Sequence, residues 1–74
     1  MSAVIVLGVS KRDCATFAAQ NGVYGFAWAT PRSPNRIRGV PAGKILVTPE
    51  LDKRSEDKAL LMNVARPCLQ SSEG

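Results

Sequence analysis

The stretch "SAVIVLGVSKRD", residues 2–13, decides the fold of this chain. Its first part is a continuous run of β-branched and aliphatic residues, which is typical of a strand covered on both faces. Ser10 stands three positions before Asp13, the spacing of a capping box at the start of a helix. The stretch therefore predicts a central strand of a small α/β layer that leads directly into a helix.

That helix is expected to run from about Lys11 to Gln20. Cys14, Phe17 and Ala18 recur at i, i+3 and i+4 and so form one apolar stripe. An Asn-Gly pair follows, and glycine there is a common helix stop because it accepts the left-handed backbone of a C-terminal cap. The segment between the first two strands is therefore predicted to be helical.

Two further apolar segments predict strands, "VYGFAWA" at residues 23–29 and "KILVT" at residues 44–48. Alternation in the first segment puts Tyr24, Phe26 and Trp28 on one strand face. Three aromatic residues on one face of so small a domain indicate a core position, and the open alternative is a platform on which nucleic-acid bases stack.

The C-terminal part of the chain predicts a second helix. "TPE" at residues 48–50 indicates an N-cap, a proline at the first helical position and an acid in the first turn. The main helix is expected to begin at Asp52 or Ser55 and to run to about Arg66, where a proline follows. Its inner stripe is expected to consist of Leu60, Leu61, Val64 and Ala65.

The resulting order is strand, helix, strand, long loop, strand, helix. A right-handed crossover through the first helix makes the first two strands parallel, which predicts an α/β fold with a three-stranded sheet and two helices, a Rossmann-like half. The open alternative is an α+β sheet in which residues 23–29 and 36–40 pair as an antiparallel hairpin. The 74-residue length predicts one α/β domain over residues 1–69, with residues 70–74 as a frayed tail.

Charge is unevenly distributed along the chain. Residues 1–44 hold six cations against Asp13 alone, whereas residues 45–74 hold four cations against five acids. A basic surface suits nucleic acid, a nucleotide phosphate or an acidic protein partner. The net charge of +4 therefore points to a binding surface in the first part of the chain.

Catalytic, metal and membrane functions find little support in the sequence. There is no histidine, so general acid–base work would fall to scattered carboxylates, and no cofactor or metal motif is present. Cys14 and Cys68 are expected to be small buried residues in a reducing compartment rather than a disulfide. The first apolar run is too short to span a membrane and follows no basic region, so we expect a noncatalytic, cytoplasmic protein.

The candidate binding residues follow the predicted strands. Ligands of open α/β sheets collect where parallel strands end, because loops and helix N-termini meet there. Ser10, Lys11, Arg12 and Thr30 are therefore candidate phosphate-binding residues. The long loop "ATPRSPNRIRGVPAG", residues 29–43, is rich in arginine and proline, and such a loop suits recognition. The candidate contacts to nucleic acid or to a protein partner are Lys11, Arg12, Arg32, Arg36 and Arg38.

The segments "AVIVLGVSKRDCATFAAQNG" and "RGVPAGKILVTPEL" resemble strand and helix segments of P-loop and helicase-like domains, in which an Arg-Gly pair precedes an apolar strand. The phosphate-binding loop of that family is missing. As a whole the chain resembles small regulatory proteins of bacteriophages. This resemblance implies a regulatory or accessory protein that binds nucleic acid or an acidic host protein.

Two other classes of function stay open. One is a nucleotide- or phosphate-binding remnant domain that uses the same strand ends. The other is a structural subunit that self-associates through an open sheet edge, since a three-stranded sheet leaves edges to cover.

Overall fold

The computed structural model describes residues 3–69, so the predicted tail at residues 70–74 lies outside the described residues. Its elements, in chain order, are β1 (Ala3–Leu7), α1 (Lys11–Gln20), β2 (Phe26–Ala29), a 3-10 turn (Pro34–Ile37), β3 (Ala42–Val47), α2 (Pro49–Asp52), α3 (Ser55–Ala65) and a second 3-10 turn (Arg66–Cys68).

The three strands form a parallel sheet in the order β2-β1-β3. Ile5 in the middle of β1 is level with Ala27 of β2 and with Ile45 of β3. The parallel α/β fold and the central position of β1 are thereby confirmed. The antiparallel hairpin alternative is wrong, because residues 34–37 wind into a 3-10 turn that begins with a proline and buries Ile37.

Helix α1 has the predicted bounds. The Ser10 hydroxyl accepts a hydrogen bond from the backbone N–H of Asp13 at 3.1 Å, as an N-cap does. The carboxylate of Asp13 does not return the bond to Ser10 but accepts from the backbone N–H of Val9 at 3.2 Å. Asp13 therefore ties the start of the helix to the turn that precedes it.

Strand β2 is shorter than predicted. It begins at Phe26, which pairs with Val4, so Tyr24 lies before the first paired residue of β2 and is not paired with any strand of residues 3–69. Tyr24 is 86% exposed, and its expected place on a shared aromatic core face is therefore wrong. Phe26 and Trp28 do share one face and are half-buried there.

The last helix matches its prediction at Ser55, and Thr48 caps the short α2, its hydroxyl accepting from the N–H of Leu51 at 3.2 Å. One residue of the expected inner stripe is misplaced. Leu60 is 44% exposed, whereas Leu61 and Ala65 are fully buried. Leu60 is displaced because α3 turns Leu61, rather than its neighbour, toward the sheet.

Helices cover the sheet on both sides. On the α1 face, Val6 of β1 packs against Cys14 and Ala18. On the α3 face lies the larger core cluster, which consists of Ile5, Leu7, Ala29, Ile37, Ala42, Leu51, Leu61, Ala65 and Cys68. Cys14 and Cys68 are thus buried on opposite faces, and both are free thiols, in agreement with the sequence-based expectation.

Candidate basic surface at the strand ends

The carboxyl ends of the three strands meet at one side of the sheet, called here the carboxyl edge. The N–H of Gly8, directly after β1, donates to the carbonyl of Ala29 at 3.2 Å. The N–H of Thr48, directly after β3, donates to the carbonyl of Leu7 at 3.0 Å. The loops after β1, β2 and β3 therefore lie side by side, as the parallel topology requires.

A small polar network holds the centre of the carboxyl edge. The hydroxyl of Thr48, which is fully buried, donates to the Asp13 carboxylate at 2.6 Å. Gly8 lies so close that an added Cβ would be 2.8 Å from the Cys14 sulfur and 2.9 Å from the Asp13 carboxylate. The network joins α1 to the start of α2 and leaves no room for a side chain at Gly8.

The hydroxyls predicted to bind phosphate already have backbone partners. Ser10 caps α1, and the hydroxyl of Thr30, which is only 5% exposed, accepts from the N–H of Ser33 at 3.3 Å. The Ser10 side chain therefore shapes the start of α1, where Lys11 lies, and the Thr30 side chain shapes the loop that holds Arg32. Thr30 is buried and the Ser10 hydroxyl is engaged in the cap, whereas the cations of this edge are exposed.

The Cys14 thiol lies beneath this network and is chemically quiet. Burial, with the neighbouring Asp13 carboxylate as a second cause, raises its pKa from 9.0 to about 11. Its sulfur lies 3.6 Å from the carbonyl oxygen of Val6 and 3.8 Å from that of Ala29. A protonated thiol is a poor nucleophile, so Cys14 serves packing.

Two of the predicted cations meet at Trp28. The guanidinium carbon of Arg36 lies 3.9 Å from the centre of the Trp28 ring, and the Lys11 ammonium lies 6.0 Å from it. Both distances fall within the range of cation–π attraction. Trp28 thus brings together one cation from α1 and one from the loop after β2.

The segment of residues 30–38, called here the basic turn, is anchored to the rest of the fold through Ile37 and Arg36. Ile37 is fully buried in the core of the α3 face, and its carbonyl accepts from the Cys68 thiol at 3.0 Å. Arg36, the preceding residue, lies over Trp28 on the α1 face. The basic turn therefore wraps around the outer side of β2 and is fixed on both faces of the sheet.

Arg38 lies away from the other cations. The carbonyl of Pro41, three residues further on, accepts from the N–H of Ala3 at 3.1 Å, so the chain has by then reached the amino ends of the strands. Arg38 lines a groove there, with a volume of about 720 Å³, whose walls include the exposed side chains of Leu60 and Leu69. Lys11, Arg12, Arg32 and Arg36 form a set without it, called here the basic surface.

The cations of the basic surface have no acidic partner among residues 3–69. The two ion pairs there join Lys53 to Glu50 and Lys58 to Asp52, on α2 and α3. The acids of α2 and α3 begin after β3, on the opposite side of β1 from β2. Positive charge is therefore concentrated on the β2 side of the carboxyl edge.

Sequence reasoning missed two features of this site. The first is the contact of Arg36 with Trp28: the sequence favoured a core position for this aromatic residue and left a base-stacking platform open, and only the fold shows that Arg36 reaches the ring. The groove at Arg38 was not anticipated, because its walls come from segments about 25 residues apart in sequence, a separation that no local pattern reports.

No family model, curated protein or solved structure matches the chain. The resemblance to bacteriophage regulatory proteins therefore stays a prediction. Within residues 3–69, no helix has the length and apolarity needed to cross a membrane. The same range contains no group of three or more acidic, cysteine or histidine side chains placed to hold a metal ion.

Proposed function

We propose that this chain is a noncatalytic regulatory or accessory protein that binds nucleic acid through the basic surface. The observation that carries the proposal is the exposure of Lys11, Arg12, Arg32 and Arg36 at one corner of the fold with no acid paired to them in the described residues. Lysine and arginine in such a set neutralise phosphates and release their counterions.

The anchoring of the basic turn supports the proposal. The N–H of Ser33 donates to both the carbonyl and the hydroxyl of Thr30, and Ile37 is buried, so Arg32 and Arg36 start from an ordered backbone. A preordered segment loses less conformational entropy when it binds. The backbone that carries these cations is therefore ordered before a ligand binds.

Nucleic acid is favoured over an acidic protein surface by what the basic turn lacks. Protein interfaces use buried apolar or aromatic anchors at their centre. Of the two apolar residues beside these arginines that could anchor a protein partner, Ile37 is fully buried in the core and Val40 is half-buried. The turn offers a partner its positive charges, which suit phosphates, and the pair of Arg36 and Trp28, which suits bases.

The proposal is tested with labelled single- and double-stranded DNA, followed by fluorescence anisotropy over a salt series. The test variant replaces Arg12, Arg32 and Arg36 with alanine. The matched control replaces Arg38, Arg54 and Arg66 with alanine, so that it loses the same three positive charges outside the basic surface. We expect affinity to fall steeply with salt, and the log-log slope to drop by about 2 to 3 units in the test variant alone.

Circular dichroism establishes that both triple variants are folded. Equal weakening in the two variants would show that net charge, and not the basic surface, drives binding. Absence of binding at low salt would overturn the proposal and would turn attention to an acidic protein partner. Stabilisation by inorganic phosphate alone, lost in the test variant, would instead favour the phosphate-binding alternative.

A further inference from the structure

Arg36 lies on the ring of Trp28, a contact that is not needed for binding phosphates. Any flexible arginine can neutralise a phosphate, but this guanidinium lies 3.9 Å from the centre of an indole ring. That is the separation of van der Waals contact between the two groups. The guanidinium therefore covers the ring on one side, while Arg36 as a residue stays exposed to solvent.

Both members of the pair are held in place from behind. Trp28 packs against the cluster of Val6, Cys14 and Ala18 beneath α1. The backbone at Arg36 is fixed by its neighbour Ile37, whose side chain is fully buried and whose carbonyl is bonded to Cys68. The guanidinium thus lies on the ring from an anchored backbone at the corner of the fold.

We infer that the outward face of Arg36 stacks against an unpaired base, so that the nucleic acid bound by the basic surface is single-stranded. The inference rests on the proposed function and names its ligand class. Bases in single strands stack on arginine planes as they do on aromatic rings. Base, guanidinium and indole form a three-layer stack, while Lys11, Arg12 and Arg32 face the phosphates.

Duplex nucleic acid does not fit this arrangement. In a duplex each base already has stacked neighbours on both sides, and its faces are not open to a side chain. Duplex DNA can meet the cations of the basic surface only through its phosphates. The stack with Arg36 therefore predicts a preference for single strands that is separate from the charge of the site.

Trp28 provides the measurement, because it is the only tryptophan of the chain and its emission reports directly on the stack. The probes are a short adenine-rich single-stranded DNA and the duplex of the same sequence, titrated at one low salt concentration. The test variant is Arg36→Lys, which keeps the charge and removes the plane. The control is Arg66→Lys, the same exchange on the second 3-10 turn.

In the wild type we expect the single strand to change Trp28 emission and to bind more tightly than the duplex. Arg36→Lys should weaken single-strand binding about tenfold and leave duplex binding within about twofold, since only the stacked base is lost. Arg66→Lys should change neither. Anisotropy of the labelled strands measures both affinities independently of the emission.

The outcomes separate the inference from the function on which it rests. Salt-dependent binding that is equal for both probes and unaffected by Arg36→Lys would overturn the stacking inference and leave the proposed function standing. Equal loss of single-strand and duplex binding in Arg36→Lys would also overturn it, because a phosphate contact would then explain both. No binding of either probe at low salt would overturn the proposed function and the inference together.

Discussion

The two faces of the sheet are covered very differently. Within residues 3–69, the α3 face is covered by two helices and two 3-10 turns and buries nine residues in one cluster, whereas α1 alone covers the other face and three residues are buried there. Trp28 and Phe26 stay half-buried on the α1 face because one helix cannot cover three strands. The thinner cover leaves an aromatic ring within reach of solvent and cations.

The basic turn connects these unequal faces through two consecutive residues. Ile37 belongs to the core of the α3 face, and Arg36 lies on Trp28 of the α1 face. The α3 face therefore anchors the basic turn, and the exposed site on the α1 face depends on that anchor. Substitutions that act on one face at a time test how far this division holds.

Ile37→Ala should have the largest effect, a loss of about 3 kcal/mol in the free energy of unfolding, because it removes a fully buried side chain from the core cluster of the α3 face. Urea unfolding followed by circular dichroism measures it. Val40→Ala in the same loop is the control and should cost less than half as much, since Val40 is only half-buried. Equal losses would show that Ile37 is not the anchor of the basic turn.

Gly8→Ala should cost about 2 kcal/mol, because the new methyl group would lie 2.8 Å from the Cys14 sulfur and 3.1 Å from a methyl carbon of Thr48. The same urea titration applies. Gly25→Ala is the matched control, since nothing lies within 4 Å of a Cβ placed there. If the Gly8 variant were as stable as the Gly25 variant, the residues around Gly8 would be able to move apart at little cost in the free energy of unfolding.

Thr48→Val should cost about 1 to 2 kcal/mol, because valine keeps the shape but loses the cap of α2 and the bond to Asp13. Thermal unfolding measures the loss. Thr16→Val, on the exposed side of α1, makes the same exchange without a lost hydrogen bond and should change stability by less than about 0.5 kcal/mol. Similar losses at both positions would contradict the role of the network.

The effect that is smallest at neutral pH is a pH dependence due to Cys14. Its pKa is raised to about 11 in the folded chain, so between pH 9 and 11 the folded state holds a proton that the unfolded state releases. Stability from this source is complete below pH 9 and falls as the pH rises toward 11. Unfolding titrations across that interval should show a shallower fall in Cys14→Ala than in the wild type, and identical slopes would contradict the assignment.

The sequence predicted the fold well because its decisive signals are local. The apolar run of β1, the Ser10 cap and the Thr48 cap act within a few residues, and each was placed correctly. Tyr24 and Leu60 were misplaced because their exposure depends on where a neighbouring strand begins and on how α3 is rotated, which only packing decides.

The candidate site was predictable in part. The parallel topology was enough to bring Lys11, Arg12 and the first arginines of the long loop to one side of the sheet. Two facts required the fold, namely that the loop turns back along β2 so that Arg38 leaves the group, and that Arg36 finds Trp28. Both depend on the burial of Ile37. An isolated apolar residue between arginines does not indicate in the sequence whether it is buried.

The wrap of the basic turn around β2 also bears on how the protein behaves at high concentration. An open outer strand offers unpaired N–H and C=O groups to any passing chain and so invites precipitation. The turn lies against β2 and shields that side. On β3, which within residues 3–69 pairs only with β1 and at Ala42 with Leu69, the exposed Lys44 is the main deterrent. We therefore expect self-association through the β3 edge to limit the solubility of this small protein, because Lys44 protects that edge and no turn covers it within residues 3–69.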